Sequence, residues 1–240
     1  MKSTISKAAL AVLGCSWVVS AQAVDFDVKV TNLTHGMYLS PVLVATHPAA
    51  SSVYSLGSAA SNNMKAMAEG GDSSGLQTEL IGAGSDTPQI LNGTVNNKIP
   101  PGGDAEQLGL SSSPGNDRIT VVTKLMPTND GFAALNAIIL PTEPGRYVYK
   151  MDAFDAGSEA NDELMVVGGN TVGVQGIEPD PDITTTGTGG TGASGSDNNA
   201  TIHTHRGVLG DSNSTGGSSD LDNTIHRWLN PVARVIITVN

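Results

Sequence analysis

Three groups of side chains in the sequence are of types and spacings that do chemistry. The first is acidic. Met126-Pro-Thr-Asn129-Asp130-Gly131-Phe132 is a turn that carries an acid directly after a β-branched run, Arg118 to Leu125. Met151-Asp152-Ala-Phe-Asp155-Ala-Gly157-Ser-Glu159-Ala-Asn161-Asp162-Glu163 then packs five acids into twelve residues, again after a strand pattern. Like charges at that density repel unless water or a cation separates them. Asp155 and Glu159 flank Ala156-Gly157-Ser158, where the glycine lets the backbone turn and the two carboxylates converge. Hard oxygen donors on flexible loops suit Ca²⁺, which takes 6–8 oxygens, better than a transition metal. A solvated acidic loop is the other reading. The second group, Asp211-Ser-Asn213-Ser-Thr215-Gly216 with Asp222 twelfth, echoes an EF-hand loop and weakly suggests a second calcium ion. Ser218 stands where that loop has an apolar residue, and no helix pattern flanks it. The third group is His203-Thr204-His205, two imidazoles on one face of a strand, followed by His226. Three imidazoles would suit a zinc site with an open position, and hence a zinc-dependent hydrolase. The plainer alternative is a surface strand and a loop histidine.

Other catalytic signatures are missing. Gly192-Ala-Ser194-Gly-Ser196 comes nearest to a nucleophile elbow but lacks its last glycine. There is no phosphate-binding loop and no dinucleotide fingerprint. With 2 Trp, 4 Tyr and 3 Phe, platforms for stacking sugars are scarce. No catalytic residue is assigned.

The 240 residues hold 23 acids against 12 Lys and Arg, a formal charge of -11. Such a surface repels phosphates, which excludes nucleic-acid binding. The Gly/Thr/Ser/Asn-rich composition excludes a coiled coil, and 38% hydrophobic residues argues against disorder throughout. Met1 to Ala23 reads as a cleaved signal peptide: Lys2 and Lys7, an apolar stretch from Ala8 to Ser20, then Ala21-Gln-Ala23. This predicts export, to the periplasm or outside the cell. Lipid attachment at Cys15 is the less favoured variant. The predicted mature chain has no cysteine, and losing two lysines takes its charge to 10 − 23 = -13. A secreted domain without disulfides draws its stability from burial, a ligand or a metal. No later segment approaches 18 uninterrupted apolar residues, so no transmembrane helix is expected.

Positioning falls to short strands. Phe26 to Asn32 alternates with period two, and Val42 to Ala45, Arg118 to Leu125, Ala137 to Leu140 and Arg146 to Met151 are further strand-like runs. Val232 to Val239 is apolar on both faces and predicts a central strand. Met64, Met67 and Ala68 at helical spacing before Gly70-Gly71 predict one short helix, and Leu76 to Ile81 another turn. Asp86 to Pro101 reads as a loop, and residues 184–199 as a flexible Gly/Thr/Ser segment. The expectation is one all-β domain over 24–240, an antiparallel β-sandwich with one or two short helices in connecting loops.

The acidic loops also carry a family likeness. Leu125-Met-Pro-Thr-Asn-Asp-Gly-Phe132 followed by Phe154-Asp-Ala-Gly-Ser-Glu-Ala-Asn-Asp-Glu163 resembles the spondin N-terminal domain family in its bacterial secreted branch. Val30-Thr-Asn-Leu-Thr34, Val44-Ala-Thr-His47, Ala68-Glu-Gly-Gly-Asp72 and Trp228-Leu-Asn-Pro-Val-Ala-Arg-Val235 fit as well. The resemblance implies a β-sandwich like that of F-spondin and mindin, one bound calcium ion and no enzymatic activity. It implies Asp130, Asp155 and Glu159 as the metal ligands, with Ser158 and Glu159 in place of the animal Thr and Asp. It further implies a recognition or adhesion role; a purely structural envelope or matrix protein is the other reading that the sequence leaves open. The partner, an extracellular or envelope protein or glycan, is not named by any residue pattern.

Overall fold

A computed structural model of the chain describes residues 23–166, 171–179, 187–194 and 200–240. Most of the predicted signal segment, Cys15 included, lies outside the described residues. So do 184–186 and 195–199 of the predicted flexible loop.

The chain is mostly β. Ten strands form one antiparallel sheet that rolls into a nearly closed barrel of two facing layers: β1 (Val24–Asn32), β2 (Tyr38–Leu39), β3 (Val42–His47), β4 (Gln89–Leu91), β5 (Asp104–Ser112), β6 (Arg118–Met126), β7 (Gly131–Ile139), β8 (Gly145–Asp155), β9 (His203–Thr204) and β10 (Ala233–Val239). The strand order is β4-β3-β6-β7-β8-β10-β1-β5, with β2 beside β6 and β9 beside β8. The hinge between the layers is β8. Its first half pairs with β10, Met151 opposite Ala233, and its last residues pair with β7, Asp155 opposite Gly131.

Period-two patterning explains which side chains go inward. Val24, Phe26, Val28 and Val30 of β1 meet Val235, Ile237 and Val239 of β10 and Ile119, Val121 and Leu125 of β6 in the barrel interior. β10 is central, as expected, with β1 and β8 on either side. Only one of its faces is core, however; Arg234 and Thr238 on the other are partly exposed. The opposite face of β3, β6 and β7 (Leu43, Val122, Phe132) is covered by two helices, α1 (Asn62–Gly70) and α2 (Ser74–Gly82), through Met64, Met67, Leu76 and Leu80. Ser61 caps α1 by accepting the Met64 N–H at 3.1 Å, and Gly71 ends it at φ 71°.

Three strands were not expected, the two-residue β2 among them. β4 lies in the predicted loop. β5 has few β-branched residues and is an edge strand, held to β1 partly by side chains: the Gly109 N–H donates to Asp27 at 2.7 Å and Ser111 Oγ to Asp25 at 2.5 Å. β7 also begins earlier than Ala137 and β8 ends later than Met151, so the acids Asp130 and Asp155 sit at strand ends. Among the described residues, no helix is long and apolar enough to cross a membrane. The antiparallel pairings put the end of β6, the start of β7, the end of β8, the start of β9 and β10 and the end of β1 at one end of the barrel. The candidate site is there.

Candidate metal centre

Asp130 stands in the turn between β6 and β7 and is fully buried. Its Oδ2 accepts three hydrogen bonds, from the Ser158 N–H (2.7 Å), Ser158 Oγ (3.1 Å) and the Glu159 N–H (3.1 Å). These bonds tie the first acidic loop to the second. Gly131 follows because nothing larger fits: a Cβ there would come within 2.6 Å of Thr128 Oγ1 and 3.1 Å of the His205 ring. Asp155, at the end of β8, is also fully buried. Its Oδ1 accepts the Gly157 N–H at 2.8 Å and its Oδ2 the Asn161 side-chain amide at 2.7 Å. His203 Nε2 lies 3.8 Å from the same Oδ2.

Glu159 behaves differently. Its backbone N–H joins Asp130, but its carboxylate turns aside to accept from the Gly176 N–H at 3.2 Å and the Asn129 amide at 3.4 Å. Burial pushes Glu159 up to about 8, with the charge of Glu69 adding and the Gly176 amide and Lys124 opposing. Burial, and then the charge of Asp155, also push Asp130 above the usual carboxylate range, against the pull of the Ser158 and Glu159 amides. Two acids are thus held where ionisation is costly.

Five buried side-chain polar atoms lack a hydrogen-bond partner among the described residues, and three of them are here: Asp130 Oδ1, Glu159 Oε1 and His205 Nε2. Buried polar atoms are nearly always paired, so three unpaired ones at one end of the barrel mark this cluster out. The oxygens of Asp130 and Asp155 suit a hard cation, and Asp130 Oδ1 has no other partner to lose. The fit is incomplete on one side. Among the described residues, no three His, Cys, Asp or Glu side chains are grouped as a metal centre would group them.

The same fact disposes of the histidine triad. His205 is buried against Trp228, ring centroids 5.1 Å apart, and burial pushes it down to about 4. His203 is half-buried beside Asp155. His226 belongs to another turn, where its Nδ1 accepts the Asp222 N–H at 3.0 Å. Among the described residues no metal-holding group of three includes these histidines, and His226 stands in a different turn from the other two, so the structure does not bring the triad together.

The EF-hand-like loop has no helices around it, and backbone amides already occupy its acids. Asp211 accepts from Asn213 (2.8 Å), Ser218 (2.7 Å) and Ser219 (2.9 Å), and Asp222 accepts from Thr224 (2.7 Å). Asp220, which the spacing did not single out, binds the amides of Met165, Thr188 and Gly190 at 2.7 to 2.9 Å. It thereby anchors part of the stretch read as flexible.

Lys124 is the functional residue that sequence reasoning missed. It is fully buried, and its Nζ donates to the carbonyls of Ala68 (2.7 Å), Thr128 (2.9 Å) and Asn129 (3.0 Å). It clamps the end of α1 onto the loop that presents Asp130. Burial lowers its pKa, against the nearby charges of Glu178, Asp130, Glu159 and Glu69. The available signal was its place two residues after Val122, on the strand face that the two helices cover.

A family model, Spondin_N, matches residues 12–166, well over half of the chain. The protein belongs to the Spondin_N family. The match takes in β1 to β8 and both loops that carry Asp130, Asp155 and Glu159. The part of this Spondin_N protein beyond it, with His203, His205 and β10, completes the barrel between β8 and β1. A comparison with curated proteins gave no match.

Proposed function

We propose that this Spondin_N protein is an exported, non-enzymatic recognition module whose loops at one end of the barrel are ordered by a calcium ion. The observation that carries the proposal is Asp130: a fully buried carboxylate beside the buried Asp155, with one oxygen that no donor reaches. Asp130 and Asp155 would hold the ion. Glu159 would join them by turning its unpartnered Oε1 from its present neighbours, and water and backbone carbonyls would complete the shell. Bound calcium would cancel the repulsion between the two aspartates. The chain's own part is to fix the loops: Lys124 holds the carbonyls before Asp130, and the Ser158 and Glu159 amides hold its other oxygen. Loops so fixed on a rigid barrel form the recognition surface, and the partner is an envelope or extracellular protein or glycan. No second ion is proposed at Asp211 to Asp222, because its acids are already occupied.

Thermal melting with calcium and with chelator tests the reading. Calcium raises Tm in the wild type and leaves Asp130→Ala unmoved; equal melting of the wild type in both buffers refutes it. Pull-down from envelope fractions in the same two buffers then seeks the partner.

A further inference from the structure

We propose that the outer face of the β8-β10-β1-β5 layer pairs with the same face of a second copy of this chain, across a two-fold axis that runs along the strands. The pairing is independent of the cation reading of Asp130.

Strand register fixes which side chains share the face, since outward positions alternate with core ones. Lys150 of β8, Arg234 of β10, Thr31 of β1 and Asp104 of β5 lie in one row across the sheet. Val148, Ile236, Lys29 and Glu106 form the next row, and Arg146, Thr238 and Asp27 the third. Cations therefore gather on the β8 and β10 side. Acids, Asp25 included, gather on the β1 and β5 side. Lys29 alone stands among the acids, bound to Asp104 at 2.8 Å. Among the described residues, Arg146, Lys150 and Arg234 take part in no salt bridge. The two helices cover the other layer, whereas Arg146, Lys150, Asp104 and Glu106 are exposed. Two large apolar side chains stand open on the same strands, Val148 at 51% exposure and Leu108 at 62%. Between the flanks an open groove of about 360 Å³ is lined by Lys29, Arg146, Arg234 and Ile236.

This charge pattern names the occupant. Four cations and four acids leave the face neutral, so the charge of -13 predicted for the mature chain lies wholly elsewhere. Two copies that met elsewhere would bring surplus acids together; here they bring none. The pattern also selects the axis. A two-fold axis across the strands would lay β8 on β8, cation against cation. An axis along the strands, between β10 and β1, lays β8 of each copy over β5 of the other. Lys150 then faces Asp104, Arg146 reaches Glu106, and Val148 lies beside Leu108. At 0.15 M salt, charges more than about 8 Å apart are largely screened, so the facing pairs outweigh the total charge of the chains.

Size sets the strength. Four strands about 4.8 Å apart, each about 24 Å long over its paired residues, give about 450 Å² per copy. A standard stable interface needs about 800 Å² per partner, so the dimer is weak and reversible. An axis along the strands points both Asp130 ends the same way. On the proposed function, a ligand with repeated sites is then held by two copies side by side.

Sedimentation equilibrium from micromolar to millimolar concentration, at moderate salt, tests the pairing. Wild type passes from monomer to dimer, and does so equally in chelator, since no calcium enters the interface. Arg146→Glu with Lys150→Glu reverses the basic pole; Asp104→Lys with Glu106→Lys reverses the acidic one. Each double variant alone self-associates about 100-fold or more weakly, because like charges then face each other. An equimolar mixture of the two forms a heterodimer at least as tight as the wild-type dimer. All four positions are exposed, and unchanged melting certifies the fold of both variants. A wild type that stays monomeric overturns the proposal, as does a mixture that fails to associate. A dimer that survives both reversals places the contact on another surface, such as the free edge of β5, and refutes it too.

Discussion

The two acidic regions of this molecule look alike in sequence and are opposite in electrostatics. In the loop of Asp211 to Asp222 every acid named above accepts backbone amides, and hydrogen bonds hold the carboxyls below their usual range: the amides of Ser219, Asn213 and Ser218 for Asp211, and the hydroxyl and then the amide of Thr224 for Asp222. Around Asp130 and Glu159 burial outweighs the available donors, and both carboxyls rise. The first region uses its charges to shape a loop. The second holds carboxylates that its donors do not satisfy, the condition that the proposed cation would relieve. Acid density alone is therefore a poor guide to a metal site. What matters is how many backbone N–H groups reach each carboxylate, and how much water does.

That contrast can be broken most directly with calcium. With the ion about a thousandfold above its Kd, the wild type should gain about 4 kcal/mol, on the order of 10 °C in Tm for a chain of this size. Asp130→Ala should lose the whole increment, and Asp211→Asn should keep it. Calcium-dependent melting that disappears in Asp211→Asn would reverse the assignment of the two regions.

Next in size is Asp220→Ala. The amides of Met165, Thr188 and Gly190 lose their acceptor, which should cost about 2–4 kcal/mol, seen as a lower denaturation midpoint that calcium does not restore. Burial alone would raise Asp220, but the Gly190, Met165 and Thr188 amides outweigh it and lower the group.

The pH dependence should differ in sign between the regions. Glu159 is raised from 4.5 to about 8, so the folded chain holds that proton more tightly than the unfolded one. In chelator its contribution is complete below the ordinary glutamate range and is lost as pH rises toward about 8. Asp220 is lowered, so its contribution is complete above the ordinary aspartate range and is lost as pH falls through its folded pKa. Melting in chelator from pH 5 to 8.5 should therefore decline, and Glu159→Gln should flatten the decline. A wild-type curve without slope would show that Glu159 is ionised without help.

Asp211→Asn should have the smallest effect. Its site is exposed, so the expected outcome is unchanged global melting with faster amide exchange at Ser218 and Ser219. Protection of those amides equal to the wild type would mean that Asp211 does not hold the turn.

The strands with β-branched or strictly alternating side chains, β1, β3, β6 and β10, were legible because burial of one face imposes period two on the sequence. Helix α1 was legible through its methionine spacing and its glycine stop. β5 was not, since an edge strand tied by Asp25 and Asp27 side chains needs no β-branched run. Asp130, Asp155 and Glu159 could be named as a set through family likeness, and Asp155 and Glu159 as neighbours through the glycine between them. That Asp130 and Asp155 would be buried, while the Glu159 carboxylate turns toward Gly176, could not be read, because it depends on residues far apart in the chain.

By itself the sequence determined the fold class, the family and the acids worth following, since periodicity and short motifs are local properties. Tertiary structure alone decided which acids lack partners, that His226 stands apart from His203 and His205, and that Lys124 is an internal clamp. Those outcomes depend on burial and on which amides and carbonyls converge, and both arise only when segments as distant as Lys124, Glu159 and His205 meet at one end of the barrel.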